Sequence, residues 1–346
     1  MRNCRLRDTY HHMLSGRLLL APVAILTLAM SGWAANSTTL GGPVTGFIFD
    51  APTGVLRPML GIPGAAYLGA PLVSGVETAS VAPDGSAALV VQRDGRLMLC
   101  GSLRNGTAVT VAINGAIAGV DRFAWAGDGS AAAVYASKNG QAQILSHLAQ
   151  TPAAGAAIDL SAVPGQLTAL AFDGQSIILG VSGDSGGVFL AVSGGAPQRI
   201  AAASTPSAIV LAGADLYFTD QQSQQIWQIQ SYGGKPATVL FASDSGISSP
   251  AGLQISADGQ RLYVANAGSR KLSVYDVATR SLLESLDLNF TPSRLDRFGD
   301  PSVFLLNDSG QGPLYVLSDG NPAKISVYFV PAPSHNRLRA PRPRPI

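Results

Sequence analysis

Reactive side chains are scarce in this chain. It has four histidines among 346 residues. His11 and His12 fall in an N-terminal segment read below as a leader, and His335 falls in the C-terminal tail. That leaves His147, which has no acidic neighbour in sequence, so neither a Ser-His-Asp triad nor a His-rich zinc site has enough members. His147 reads as structural. Cysteine is rarer still: Cys4 belongs to the leader and Cys100 stands alone in the strand-like run Leu97-Met98-Leu99-Cys100. A lone thiol cannot staple an exported domain, and in this setting it reads as a small buried apolar group. Charged residues are only 13% of the chain, with no basic face interleaved with aromatics, which argues against nucleic acid as a partner. No long stretch keeps a 3.6-residue apolar period, so an α/β layer architecture is disfavoured. The Gly-rich stretch at residues 183–187 lacks the lysine of a phosphate loop and reads as a hairpin turn. Asn-x-Ser/Thr sequons at Asn36, Asn105, Asn289 and Asn307 carry no weight in a chain so rich in Ser and Thr.

What the chain has is repetition. Leu216-Tyr217-Phe218-Thr219-Asp220 followed by Ile226-Trp227-Gln228-Ile229 recurs 46 positions later as Leu262-Tyr263-Val264-Ala265-Asn266 followed by Leu272-Ser273-Val274-Tyr275-Asp276. Asp-Gly pairs at Asp84, Asp128, Asp173 and Asp258 mark the same period, with Ala214-Asp215 as a degraded member. Asp-Gly supplies the positive φ of a tight hairpin turn, and apolar runs flank each pair. A further hairpin, Val303-Phe304-Leu305-Leu306-Asn307 then Leu314-Tyr315-Val316, places Asn307 in register with Asn266. Units this short cannot bury their apolar faces alone and must stack. The expectation is an all-β fold, a β-propeller of four-stranded antiparallel blades over residues 43–330, with strands of about four to seven residues. Residues 46–50 and 55–59 parallel 272–276 and 282–286, the outer hairpin of a blade, and have no inner hairpin before them. Seven blades, one incomplete, are therefore favoured over six at about 43 residues per blade.

The run from Pro250 to Asp287, with its Leu253-Gln254-Ile255-Ser256 strand, Asp258-Gly259 turn and Tyr263-Val264-Ala265-Asn266 strand, resembles a YVTN repeat of secreted bacterial propellers. Residues 216–234 resemble the related NHL and YWTD-type blades. The resemblance implies a closed ring with the first strand of each blade lining a central channel. It does not imply one activity, because such propellers include lactonases, quinoprotein relatives, surface-layer parts and plain binding platforms.

The two ends read differently from the ring. Arg2, Arg5, Arg7 and Arg17 precede an apolar run at residues 18–30, and Gly32-Trp33-Ala34 offers the small residues a signal peptidase reads. Residues 1–35 are expected to be a cleaved signal peptide, with an uncleaved anchor as the alternative, and residues 36–42 a linker. Residues 331–346 form a Pro/Arg-rich arm expected to be extended, solvated and disordered. Removing Asp8 and the eight arginines of the two ends leaves 15 basic against 20 acidic residues, a body of about minus five. An exported, periplasmic or extracellular protein follows, a monomer without stable membrane insertion after cleavage.

One site follows from the repeat register. Seven positions before each turn Asp lies the start of an inner strand, and these starts are expected to ring one mouth of the channel. They are Glu77, Asp121, Gln166, Ser207, Ala251 and, with a one-residue adjustment, Arg294. Glu77 and Asp121 fall on adjacent blades, where two carboxylates beside Gln166 suit a divalent cation such as calcium or a cationic group of a ligand. Solvated acids at a wet mouth are the simpler reading, under which no cofactor is needed. Two function classes stay open. One is a non-catalytic platform for a protein, peptide or glycan. The other is a metal-assisted, lactonase-like hydrolase using Glu77 and Asp121, a reading weakened by Ala251 and Arg294 where ligands would be wanted.

Overall fold

In the computed structural model, residues 42–332 are described except 233, 235, 242–245, 311 and 321–323. The leader, most of the linker and nearly all of the Pro/Arg tail, with His335, lie outside the described residues. Seven antiparallel sheets, each of four consecutive strands, form a seven-bladed β-propeller. Blade 1 holds β1 (Val44–Asp50), β2 (Val55–Ile62), β3 (Ala65–Leu68) and β4 (Val73–Ser74). Blade 2 holds β5 (Val76–Val81), β6 (Ala88–Gln92), β7 (Leu97–Gly101) and β8 (Val109–Ala112). Blade 3 holds β9 (Arg122–Trp125), β10 (Ala132–Ala136), β11 (Gln141–Ser146) and β12 (Ala153–Asp159). Blade 4 holds β13 (Gln166–Phe172), β14 (Ser176–Ser182), β15 (Gly187–Val192) and β16 (Gln198–Ala202). Blade 5 holds β17 (Pro206–Ala212), β18 (Asp215–Asp220), β19 (Gln225–Ile229) and β20 (Thr238–Phe241). Blade 6 holds β21 (Pro250–Ile255), β22 (Arg261–Asn266), β23 (Lys271–Asp276) and β24 (Ser281–Asp287). Blade 7 holds β25 (Asp296–Arg297), β26 (Val303–Leu305), β27 (Leu314–Ser318) and β28 (Ser326–Val330). Strand lengths spread beyond the expected four to seven residues, from two in β4 and β25 to eight in β2. The helix described is a 3-10 turn at Leu103–Asn105, and no described helix is long and apolar enough to cross a membrane.

The Asp-Gly turns act as their chemistry requires. Gly85, Gly129 and Gly259 have φ of 71°, 71° and 73°, a region a side chain with Cβ disfavours. The preceding Asp accepts the amide of the residue two further on: Asp84 from Ser86 at 3.0 Å, Asp128 from Ser130 at 3.0 Å and Asp258 from Gln260 at 3.0 Å. The Ser130 amide, then its hydroxyl, hold the Asp128 carboxyl below the usual carboxylate range, and the Ser256 hydroxyl, then the Gln260 amide, do the same for Asp258.

Period-two alternation sends the two faces of each blade to different neighbours. On β6, Leu89 and Val91 pack toward blade 3 while Ala88 and Val90 pack toward blade 1. On β22, Leu262 and Val264 face blade 5 while Tyr263 and Ala265 face blade 7. The core of the described residues is thus a series of seams rather than one centre, which is how a chain of this length folds without a single large core.

Blade 1 differs from the rest. β3 and β4 both pair with β2 on the side away from β1, β3 with residues 59–62 and β4 with Val55 and Leu56, so the sheet is three rows wide with its last row split. Beside it the inner-hairpin turns of blades 7 and 2 bond to each other directly: the Gly299 amide donates to the Pro83 carbonyl at 3.1 Å, and the Arg104 guanidinium donates to the carbonyls of Asp84 and Gly299. Every sheet is built from consecutive strands, so the ring closes by packing. Ile48 and Met59 of blade 1 share a cluster with Phe298, Leu305 and Val330 of blade 7, and the Ser309 hydroxyl donates to the Phe49 carbonyl.

Candidate functional site

The inner strands begin with a shared irregularity. In β5, β17 and β21 the pairing skips one residue, so Glu77, Ser207 and Ala251 are the extra residues of β-bulges. Asp121 is equivalent: its amide donates to the Tyr135 carbonyl at 3.0 Å while Arg122 already opposes Tyr135. Bulges turn a side chain out of the alternation of its strand. Gln166 does not share the position. The extra residue of β13 is Thr168, because the Asp173 turn has four residues between paired strand ends where the Asp84 turn has six. Counting back from the turn Asp therefore overshoots by two.

These side chains are occupied to very different degrees. Glu77 is exposed and makes no side-chain hydrogen bond or ion pair among the described residues. Asp121, exposed just ahead of β9, accepts the amide and hydroxyl of Ser137 at 3.1 and 2.9 Å. The Ser207 hydroxyl bonds to the Thr219 hydroxyl at 2.7 Å and donates to the Pro250 carbonyl of blade 6 at 2.6 Å, stitching one seam. Arg294 is held by Asp296 and Asp308 of its own blade, and the Asp296 charge, joined by that of Asp308, raises the guanidinium above its ordinary value. Among the described residues no three His, Cys, Asp or Glu side chains gather as a metal site. Asn266 and Asn307 close loops: Asn266 accepts the Ser248 amide at 3.0 Å and Asn307 accepts the Tyr315 amide at 2.8 Å.

At the opposite end of the inner strands lies a feature the repeat register does not reveal. A notch of about 460 Å³ opens between the inner-hairpin turns of blades 5 and 6, bounded by residues 211–213, Asp215 and Tyr217 on one side and residues 255–259 on the other, with Arg297 of blade 7. Arg297 donates to the Ile255 carbonyl at 2.7 Å and lies 6.0 Å from the centre of the Phe304 ring. No carboxylate pairs with it among the described residues, and burial lowers its pKa. Asp215 accepts from the Ser231 amide at 3.0 Å and the Gln228 side-chain amide at 3.1 Å, and Gln228 also donates to the Tyr217 hydroxyl at 3.1 Å. Burial, then the Asp215 charge, raises the Tyr217 pKa. The notch thus presents a planar cation, a neutral phenol and two fixed carboxylates, Asp215 and Asp258, within one small volume. Its residues come from three blades, so no local motif announces it.

Two further candidates are accounted for by local structure. His147 is exposed, adopts a φ of 55° at the end of β11 and lies 3.0 Å through Nδ1 from the Ser146 hydroxyl. Cys100 is fully buried on β7, and burial pushes its thiol up to about 11. At pH 8 only about one thiol in a thousand is then ionised. A thiol reagent at pH 8 is expected to label Cys100 only after unfolding; prompt labelling of Cys100 in the native protein would contradict its burial.

No family model matches the chain, and no curated protein matches it. Solved structures do. A functionally unknown protein from Desulfotomaculum acetoxidans is 14% identical, with a TM-score of 0.59 over 83% of this chain and 95% of its own. Hydrazine synthase of Kuenenia stuttgartiensis is 12% identical, with a TM-score of 0.52 over 87% and 98%. The β-propeller domain of Cps50 (Swd1) of Myceliophteria thermophila is 13% identical, with a TM-score of 0.50 over 77% and 93%. At such identities the likeness concerns the fold alone.

Proposed function

We propose that this chain is a non-catalytic, exported propeller of the YVTN/NHL kind that binds a glycan in the notch between blades 5 and 6. The observation that carries the reading is the chemistry of the notch wall. Sugar hydroxyls are donors and acceptors at once, and they suit a site whose lining combines carboxylate acceptors with guanidinium and phenol groups. An anionic ligand would meet Asp215 and Asp258, and a cationic one would meet Arg297. The Ser256 hydroxyl in the notch donates to the Asp258 carboxylate, which fixes that carboxylate as an acceptor, and the reading is one of retention and not turnover. The signal-like leader and the acidic body accord with an exported location and with a partner other than nucleic acid, and the reading requires no metal. The hydrolase alternative needs an oxygen cage at the other mouth, where Asp121 and Arg294 are already engaged.

The test is a glycan array followed by calorimetric titration of the purified mature protein with the oligosaccharides it retains. Arg297→Lys keeps the cation but loses the planar fork, and is expected to weaken binding about tenfold. Retention of no glycan would end the proposal, as would equal affinity in the Arg297→Lys variant with its thermal midpoint unchanged.

A further inference from the structure

We infer that the outer edge of blade 2 is a self-association surface, at which β8 pairs antiparallel with β8 of a second copy to join two blades into one eight-stranded sheet. Of the outermost strands, β8 alone is exposed at every residue, with Val109 at 55% and Val111 at 47% of full exposure. Its inner edge pairs with β7, and among the described residues its backbone has no partner on the other side. Proteins usually protect such an edge with a charge, a proline or a covering loop. Charges stand on several other outer strands: Asp159 on β12, Arg199 on β16, Glu284 and Asp287 on β24. Around β8 no Asp, Glu, Lys, Arg or Pro occurs from Asn105 to Val120.

The occupant follows from the order of residues. Ala108-Val109-Thr110-Val111-Ala112 reads the same in both directions, which is what a two-fold axis through an antiparallel strand pair demands. With Thr110 on the axis, Val109 lies opposite the second copy's Val111 and Thr110 opposite its own counterpart. Val-Val and Thr-Thr are favourable cross-strand pairs, and with no charge in the segment nothing repels when two copies meet. A charge-bearing partner, by contrast, would find nothing on this edge to recognise. The surface lies on the rim of blade 2, away from the notch of blades 5 and 6, so this inference does not depend on the proposed glycan site. It departs from the single-copy expectation drawn from the sequence.

Sedimentation of the purified mature protein across roughly 1 μM to 1 mM should show a monomer–dimer equilibrium, abolished by the double variant V109K/V111K with its unfolding midpoint unchanged. Register is tested by disulfide trapping. V109C mixed with V111C should give a cross-linked dimer under oxidation, while each alone should give little, because residue 109 and its own counterpart are diagonal at about 7–8 Å. Cys100, buried with a raised pKa, does not compete. A monomer throughout the concentration range, a dimer that survives the lysine substitutions, or equal trapping in the single and mixed samples would overturn the inference.

Discussion

Gly252→Val is expected to lower the unfolding midpoint by roughly 5 °C, a loss of about 3 kcal/mol. Gly252 follows the bulge of β21, where the inner strand of blade 6 approaches that of blade 7. A Cβ there would lie 2.6 Å from the Leu295 amide nitrogen and 2.8 Å from the Arg294 carbonyl carbon. Those are backbone atoms, so relief requires moving the strand and not turning a side chain. Shifting the entry to β25 also disturbs Leu295, which is 2% exposed and packs with Tyr263 and Phe304 in the same seam. Gly127→Ala is the control, because a Cβ at Gly127 meets nothing within 4 Å. Thermal unfolding followed by circular dichroism checks both, and a Gly252→Val protein that melts with the parent would show that the seam yields at little cost.

Asp220→Ala is expected to cost about 3 kcal/mol, with Asp220→Asn losing roughly a third as much. Asp220 is 3% exposed at the end of β18. Its carboxylate accepts the Thr205 amide at 2.9 Å, the Ser204 amide at 3.2 Å and the Gln222 amide at 3.2 Å. One side chain therefore holds both the crossover from blade 4 and the turn into β19. Alanine leaves three amide hydrogens without their acceptor, and this loss outweighs the gain from no longer burying a charge. Asparagine keeps one acceptor oxygen, and the repeat supplies the precedent: Asn266, one blade later, holds the Ser248 amide at 3.0 Å from the same strand end. Urea denaturation of the three proteins gives the comparison; equal midpoints for Asp220→Ala and the parent would refute the role assigned to this carboxylate.

The repeat unit was legible because its determinants are local. Asp-Gly turns at residues 84, 128 and 258 form with the glycine φ their chemistry needs, and the alternating apolar runs beside them become the strands they flank. The period that relates Leu216–Asp220 to Leu262–Asn266 favoured seven blades over six, and the ring has seven, with the N-terminal sheet as its irregular member. Gln166 shows where local counting stops. Its distance to Asp173 matches that of Glu77 to Asp84, but a turn shortened by two residues moves the bulge to Thr168, and turn length depends on how two strands pair.

The amino-acid sequence by itself determined the fold class, the four-stranded unit and the poverty of reactive groups, and it favoured seven blades over six. These rest on side-chain alternation, turn chemistry and composition, all readable within a few residues or by counting. Tertiary structure alone decided the three-row form of blade 1, the engagement of Asp121 and Arg294 by neighbours, the triple acceptor role of Asp220 and the notch that brings Asp215, Tyr217, Asp258 and Arg297 together. The first three depend on how strands and entry loops pair within a blade, and the notch on distances between blades, set by how the twisted sheets pack around the ring. Residues dozens of positions apart meet there without any pattern along the chain to mark them.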